Sequence, residues 1–128
     1  MTANVLKPNE VLYADLSYRL TGLLFKTQNE IGCFGREKQY GDKLAILLTE
    51  AGVAFQRECS IGVSGNIADF IVEGKIVLEL KAKRFLVQDD FDQLQRYLQE
   101  TQLQLGVIVN FRSQYLKPMR VIRIDKLR

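Results

Sequence analysis

Two apolar runs either side of a tight turn constrain this chain most: NIADFIV, residues 66–72, and KIVLEL, residues 75–80, flanking Glu73 and Gly74. Their β-branched and aromatic residues favour pleated strands and Glu-Gly marks a reversal, so the segment reads as a β-hairpin. Each run holds one carboxylate among apolar neighbours, Asp69 in the first and Glu79 in the second. Because a strand alternates, Ile76, Leu78 and Leu80 face one way, and Val77, Glu79 and Lys81 the other. The ordinary explanation is a half-buried strand with a polar outer face. Loop length decides whether the two acids meet. A three-residue loop, Glu73–Lys75, sets Val72 opposite Ile76 and Asp69 opposite Glu79. A two-residue loop sets Asp69 opposite Leu78, with its side chain on the other face from Glu79. Opposed carboxylates repel and burial raises the cost. A divalent cation would remove it, since Mg²⁺ is commonly held by one or two carboxylates.

Around the hairpin the pattern alternates between helical and extended periods. Asn9 is placed to cap a helix reaching about Ile31, with Leu12, Leu16, Leu20, Leu23 and Leu24 on its apolar face. The GCFG stretch, Gly32 to Gly35, should break it. A second helix follows from about Arg36 through Tyr40, Leu44, Leu47 and Leu48 to a stop at Gly52. VAFQRECSIGV reads as a broken strand before the hairpin. After Arg84, QDDFDQLQRYLQETQ is a helix with acids in its first turn and Phe91, Leu94 and Leu98 on one side. LGVIVNF then looks like a buried strand and MRVIRID a more exposed one. The order α-α-β-β-β-α-β-β predicts a mixed α/β (α+β) domain spanning residues 1–128, its central mixed sheet of about five strands flanked by helices.

Composition bounds the chemistry. The chain has 128 residues, 47% hydrophobic and 26% charged, as in ordinary globular proteins. No apolar run approaches the roughly 20 residues of a membrane span, and MTANVLKPNEVLY lacks a secretion signal, which predicts a cytoplasmic protein with no membrane partner. Cys33 and Cys59 are too few for a disulfide framework or a thiolate metal site. The chain contains no histidine, which excludes histidine-based nucleophilic sites and histidine-ligated zinc. Catalysis would have to rest on carboxylates, lysine and a hard metal ion. The net charge of +3 is uneven: Arg112, Lys117, Arg120, Arg123, Lys126 and Arg128 crowd the C-terminal tail against Asp125 alone. That is a footprint for a polyanion, and equally an ordinary solvated surface.

Two further features bear on the hairpin acids. Lys81 shares the face of Glu79, where a lysine can hold an attacking water or stabilise charge on a phosphate; otherwise it is a surface lysine paired with Glu79. Gln93 and Tyr97 lie four apart on one helix face, at the margin of the apolar stripe, where they are either boundary residues or contacts to a phosphate or water.

Asp, then Glu-x-Lys, on adjacent strands flanked by helices resembles the PD-(D/E)xK, or restriction-endonuclease-like, nuclease superfamily, and the Gln-x-x-x-Tyr resembles its RecB-related exonuclease-type members. GCFGREKQY, IADFIVEGKIVLELKA, DQLQRYLQ and LGVIVNF together are similar to the small GxxExxY family of that superfamily, over about Leu12 to Arg123. The resemblance implies a restriction-endonuclease-like core and a metal-dependent nuclease. Asp69, Glu79 and the carbonyl of Leu80 would ligate Mg²⁺ (or Mn²⁺), with Glu37 a further ligand or water-holder. Lys81 would orient the water, and Gln93 with Tyr97 would complete the rim. Nucleic acid, DNA ahead of RNA, would be the partner, contacted by Tyr40, Arg112, Lys117 and Arg120. A homodimer would help so small a domain to grip a duplex. The motif's first glycine is Phe34 here, flanked by Gly32 and Gly35, and no iron–sulfur cysteine cluster is present. The alternatives are a catalytically silent module that binds nucleic acid or a protein, and a structural domain whose acids are satisfied by salt bridges.

Overall fold

A computed structural model describes residues 11–125. Its elements follow the expected order: α1 (Ala14–Ile31), α2 (Glu37–Glu50), β1 (Phe55–Ile61), β2 (Asn66–Val72), β3 (Ile76–Lys81), α3 (Gln88–Thr101), β4 (Leu105–Asn110) and β5 (Met119–Ile122). The expected cap at Asn9 lies outside the described residues. Within them α1 begins after Tyr13, whose φ of 52° puts it in the left-handed region.

The sheet runs β1-β2-β3-β4-β5, antiparallel except for the parallel β3–β4 pair. It is the α+β architecture expected from the sequence. The parallel pair needs a crossover, and α3 provides it. Val72 pairs with Ile76, so the hairpin closes with the three-residue loop.

Both faces of the sheet are covered, which explains why β3 is buried from Ile76 to Leu80 and has no polar outer face. On one side Phe70, Val72, Ile76, Leu78, Leu105 and Val107 pack against Leu20 and Leu24 of α1 and Leu44 and Leu48 of α2. On the other, Ile61, Ala68, Ile71, Val77 and Ile108 meet Leu94, Tyr97 and Leu98 of α3. Gly106 sets the closeness of α3: a Cβ there would stand 2.8 Å from a Leu94 methyl. Tyr97 therefore lies inside the apolar stripe and not at its margin.

The turn between α1 and α2 is tied by Tyr40. Its ring is fully buried and stacks on Phe111 at 4.2 Å between centroids. Its hydroxyl donates to the Gly32 carbonyl and accepts from the Gly35 N–H. Gly35 is required by space, since a Cβ would meet Ile31 Cγ2 at 2.7 Å. Tyr40 thus fixes the start of α2, and burial corrects its expected role as a nucleic-acid contact.

Candidate active site

The hairpin acids sit where β2 loses regular pairing. Its ladder with β3 covers Val72–Ile76, Ile71–Val77 and Phe70–Leu78 and ends there. Its ladder with β1 skips one pair, Glu58 with Asp69, and Glu58 has a φ of 51°. The irregularity turns the strands over. Arg57 lies over the Phe70 ring on the α1/α2 side, whereas Cys59 and its partner Ala68 belong to the α3 side. Asp69 stands at the crossing.

Side chains replace the missing ladder bonds. The Asp69 N–H donates to Glu79 Oε2 at 2.9 Å, and the Leu80 N–H donates to Asp69 Oδ2 at 2.8 Å. Each carboxylate reaches across to the other strand's backbone, so the two acids are close to one another. Glu79 is buried, with 4% of its surface exposed. Burial, reinforced by the charge of Asp69, pushes its pKa up to about 8. Burial also raises Asp69, against the opposing Leu80 N–H, and the Glu37 charge adds to the rise. In the α3 core the Tyr97 hydroxyl is raised by burial and then by the charges of Glu79 and Asp69.

Lys81 lies at the end of β3, opposite Asn110 of β4. Its ammonium donates to Gln93 Oε1 at 3.3 Å and stands 3.7 Å from Asp90 Oδ1. Its partners are thus on α3, not Glu79. Glu37, the first residue of α2, shares an open cleft with Asp69, Leu80, Arg57 and Glu58. The structure therefore gathers Glu37, Asp69, Glu79, Leu80, Lys81, Gln93 and Tyr97 around one end of the sheet. Arg120 is engaged elsewhere, donating to Ser17 Oγ and the Leu12 carbonyl. Arg112 and Lys117 are exposed.

Sequence reasoning missed three neighbours. Asp90 is buried; it accepts from the Val87 N–H, which caps α3, and from Lys83 Nζ. Burial raises its pKa, but those bonds and the lysine charges outweigh this and hold it below the ordinary value. In the sequence it reads as one of two acids placed for the helix dipole, Asp89 and Asp90, and only its three-residue spacing from Val87 marks it as a cap. Arg57 enters the cleft, held by Asp42 at 2.6 Å. Asn110 exchanges side-chain bonds with the Lys83 backbone, and no motif announces it.

Two close carboxylates are the donor set of a hard divalent ion, and a cation would relieve the cost that burial and mutual repulsion impose on them. The residues fit such an ion in kind. Among the described residues, no group of three or more acidic or cysteine side chains converges to hold one.

A sequence profile of the PD-(D/E)XK nuclease superfamily matches residues 14–124, and the chain belongs to that superfamily. No curated protein and no solved structure matches it.

Proposed function

We propose that the chain is a metal-dependent nuclease that hydrolyses phosphodiester bonds at the Asp69/Glu79/Lys81 end of the sheet. The observation that carries this is the pair of carboxylates, Glu79 buried and Asp69 half-buried, each bonded to the opposite strand, with a lysine on the strand of Glu79 fastened to α3. Asp69 and Glu79 would hold Mg²⁺ (or Mn²⁺), with the Leu80 carbonyl and Glu37 as further donors. Such an ion supplies charge neutralisation at the phosphate and makes water a stronger acid. Lys81, kept in place by Gln93 and Asp90, donates to the attacking water or to a phosphate oxygen. Gln93 and Tyr97 hold the α3 side of the site. Glu37 lies on a helix whose start Tyr40 anchors, which supports placing the chain in the GxxExxY family. Phe34, at that motif's first glycine, is 81% exposed and needs no closeness there. DNA is the expected substrate ahead of RNA.

The test is cleavage of end-labelled DNA and RNA, single- and double-stranded, with Mg²⁺, Mn²⁺ or EDTA. Metal-dependent cutting should fall at least about 100-fold in Lys81→Ala, the scale of losing one donor to a developing charge. Full activity in that variant would end the reading. A second reading, a silent module that binds nucleic acid, is favoured by one observation: one oxygen of each carboxylate already accepts a backbone N–H and serves the fold. No cutting of any substrate by folded protein would select it.

A further inference from the structure

Two exposed phenylalanines flank the strand end that holds Lys81. Phe34, in the turn before α2, is 81% exposed and lies under the Arg112 guanidinium at 5.1 Å. Phe85, between β3 and α3, is 67% exposed and lies under Arg84 at 5.4 Å. One comes from the α1/α2 side of the sheet and the other from the α3 side. They are joined through Asn110, whose amide bonds both backbone groups of Lys83 and whose Oδ1 also accepts the Arg112 N–H. Gln28 of α1 fastens the same loop, donating to the carbonyls of Phe111 and Ser113. Three loops thus form one tied rim.

The arginines of this rim differ from several others. Arg57 and Arg123 are ion-paired, and Arg19 and Arg120 bond backbone carbonyls. Arg84 and Arg112 have no carboxylate partner among the described residues. A surface aromatic under an arginine adds only about 0.5–1 kcal/mol to folding, so stability gives little reason for two such pairs at one strand end. An open aromatic face with a free guanidinium suits an unpaired base and its phosphate. A duplex hides base faces inside its stack and offers only edges and backbone. The reactive groups are recessed as well: Glu79 is buried and the Lys81 side chain is 18% exposed.

We propose that this rim selects single-stranded nucleic acid, with bases stacking on Phe34 and Phe85 and phosphates meeting Arg112 and Arg84. The proposal rests on the nuclease reading for the fate of the strand, but not for its capture. It is tested by fluorescence anisotropy in EDTA with labelled oligonucleotides of about 12 nucleotides, within the span such grooves cover. Single-stranded DNA, single-stranded RNA and blunt duplex are compared on wild type, Phe34→Ala, Phe85→Ala and, as control, Tyr18→Ala, an exposed aromatic on α1. Tighter binding of either single strand than of duplex is expected, and the DNA and RNA arms show which sugar is preferred. Each phenylalanine change should weaken that binding roughly tenfold, as loss of one stacked base does, with Tyr18→Ala unchanged. Duplex bound as tightly as single strands, or phenylalanine variants that bind like wild type, overturns the proposal. Capture of single strands without cutting in Mg²⁺ would sink the nuclease reading and leave this one standing. Duplex binding with duplex cutting would do the reverse.

Discussion

The two ends of β3 belong to one short strand and obey different rules. At the turn end Ile76, Val77 and Leu78 are fully buried, pair regularly with β2 and β4, and feed both cores. At the other end the ladder with β4 continues but the ladder with β2 has stopped, and side chains take its place: an exchange of carboxylate bonds between Asp69 and β3, with Lys81 held by Gln93 and Asp90. Apolar packing is indifferent to charge and needs no partner beyond shape. A buried carboxylate pair is stable only while protons, hydrogen bonds or a cation offset its repulsion. The first end is built for stability, and the second holds charge at a cost in stability.

That contrast can be broken most severely from the apolar side. Leu78→Ala should cost about 2–5 kcal/mol in denaturant unfolding, because it opens a cavity between β3 and the helices. A loss below about 1 kcal/mol would mean that the core rearranges more freely than close packing allows.

Changing pH addresses the charged end alone. Folded, Glu79 keeps its proton to about pH 8; unfolded, it releases it near its ordinary 4.5. Between those values the folded state binds more protons, so the metal-free protein should lose stability as pH rises, by at most about 1.4 kcal/mol per unit from this group. Asp69, shifted the same way, adds to the trend. Melting temperatures across this range, with and without Mg²⁺, measure it. Glu79→Gln should make the profile shallower, leaving the smaller part that Asp69 supplies, and an unchanged slope in that variant would have another source.

Asp90→Asn sharpens the contrast with a smaller change. The new side chain still caps Val87, so unfolding should shift by only about 1 kcal/mol from the lost ion pairs with Lys83 and Lys81. Cleavage should fall further than stability does, since Lys81 loses a fixed neighbour; equal losses would make Asp90 purely structural. Smallest of all, Phe34→Ala should cost no more than about 0.5–1 kcal/mol, since an exposed ring gives up little beyond its contact with Arg112.

Much of the frame was legible in the sequence because it rests on local rules. The leucine spacing of α1 and α2 gave the helices, and Glu-Gly with its flanking runs gave the hairpin and a choice between two registers. The turnover at Glu58 was not legible, since a left-handed glutamate carries no local signal where glycine or asparagine would. Tyr40 was misread for a related reason: its partner Phe111 is distant in the chain, and spacing reports the face of a helix but not what covers it. Asp69, Glu79 and Lys81 stood out as charges in an apolar segment, whereas Asp90, in a polar helix start, had nothing to contrast with.

The turnover has one more consequence. Arg57 and Phe70 belong with one core, Cys59 and Ala68 with the other, so Asp69 lies on the seam between two packed halves and is a filler of neither. An exchange at a seam leaves the stitching on both sides intact. A residue at position 69 that still accepts the Leu80 N–H, such as asparagine, can therefore replace the aspartate while both halves keep their shape, so the scaffold would outlast the loss of that charge.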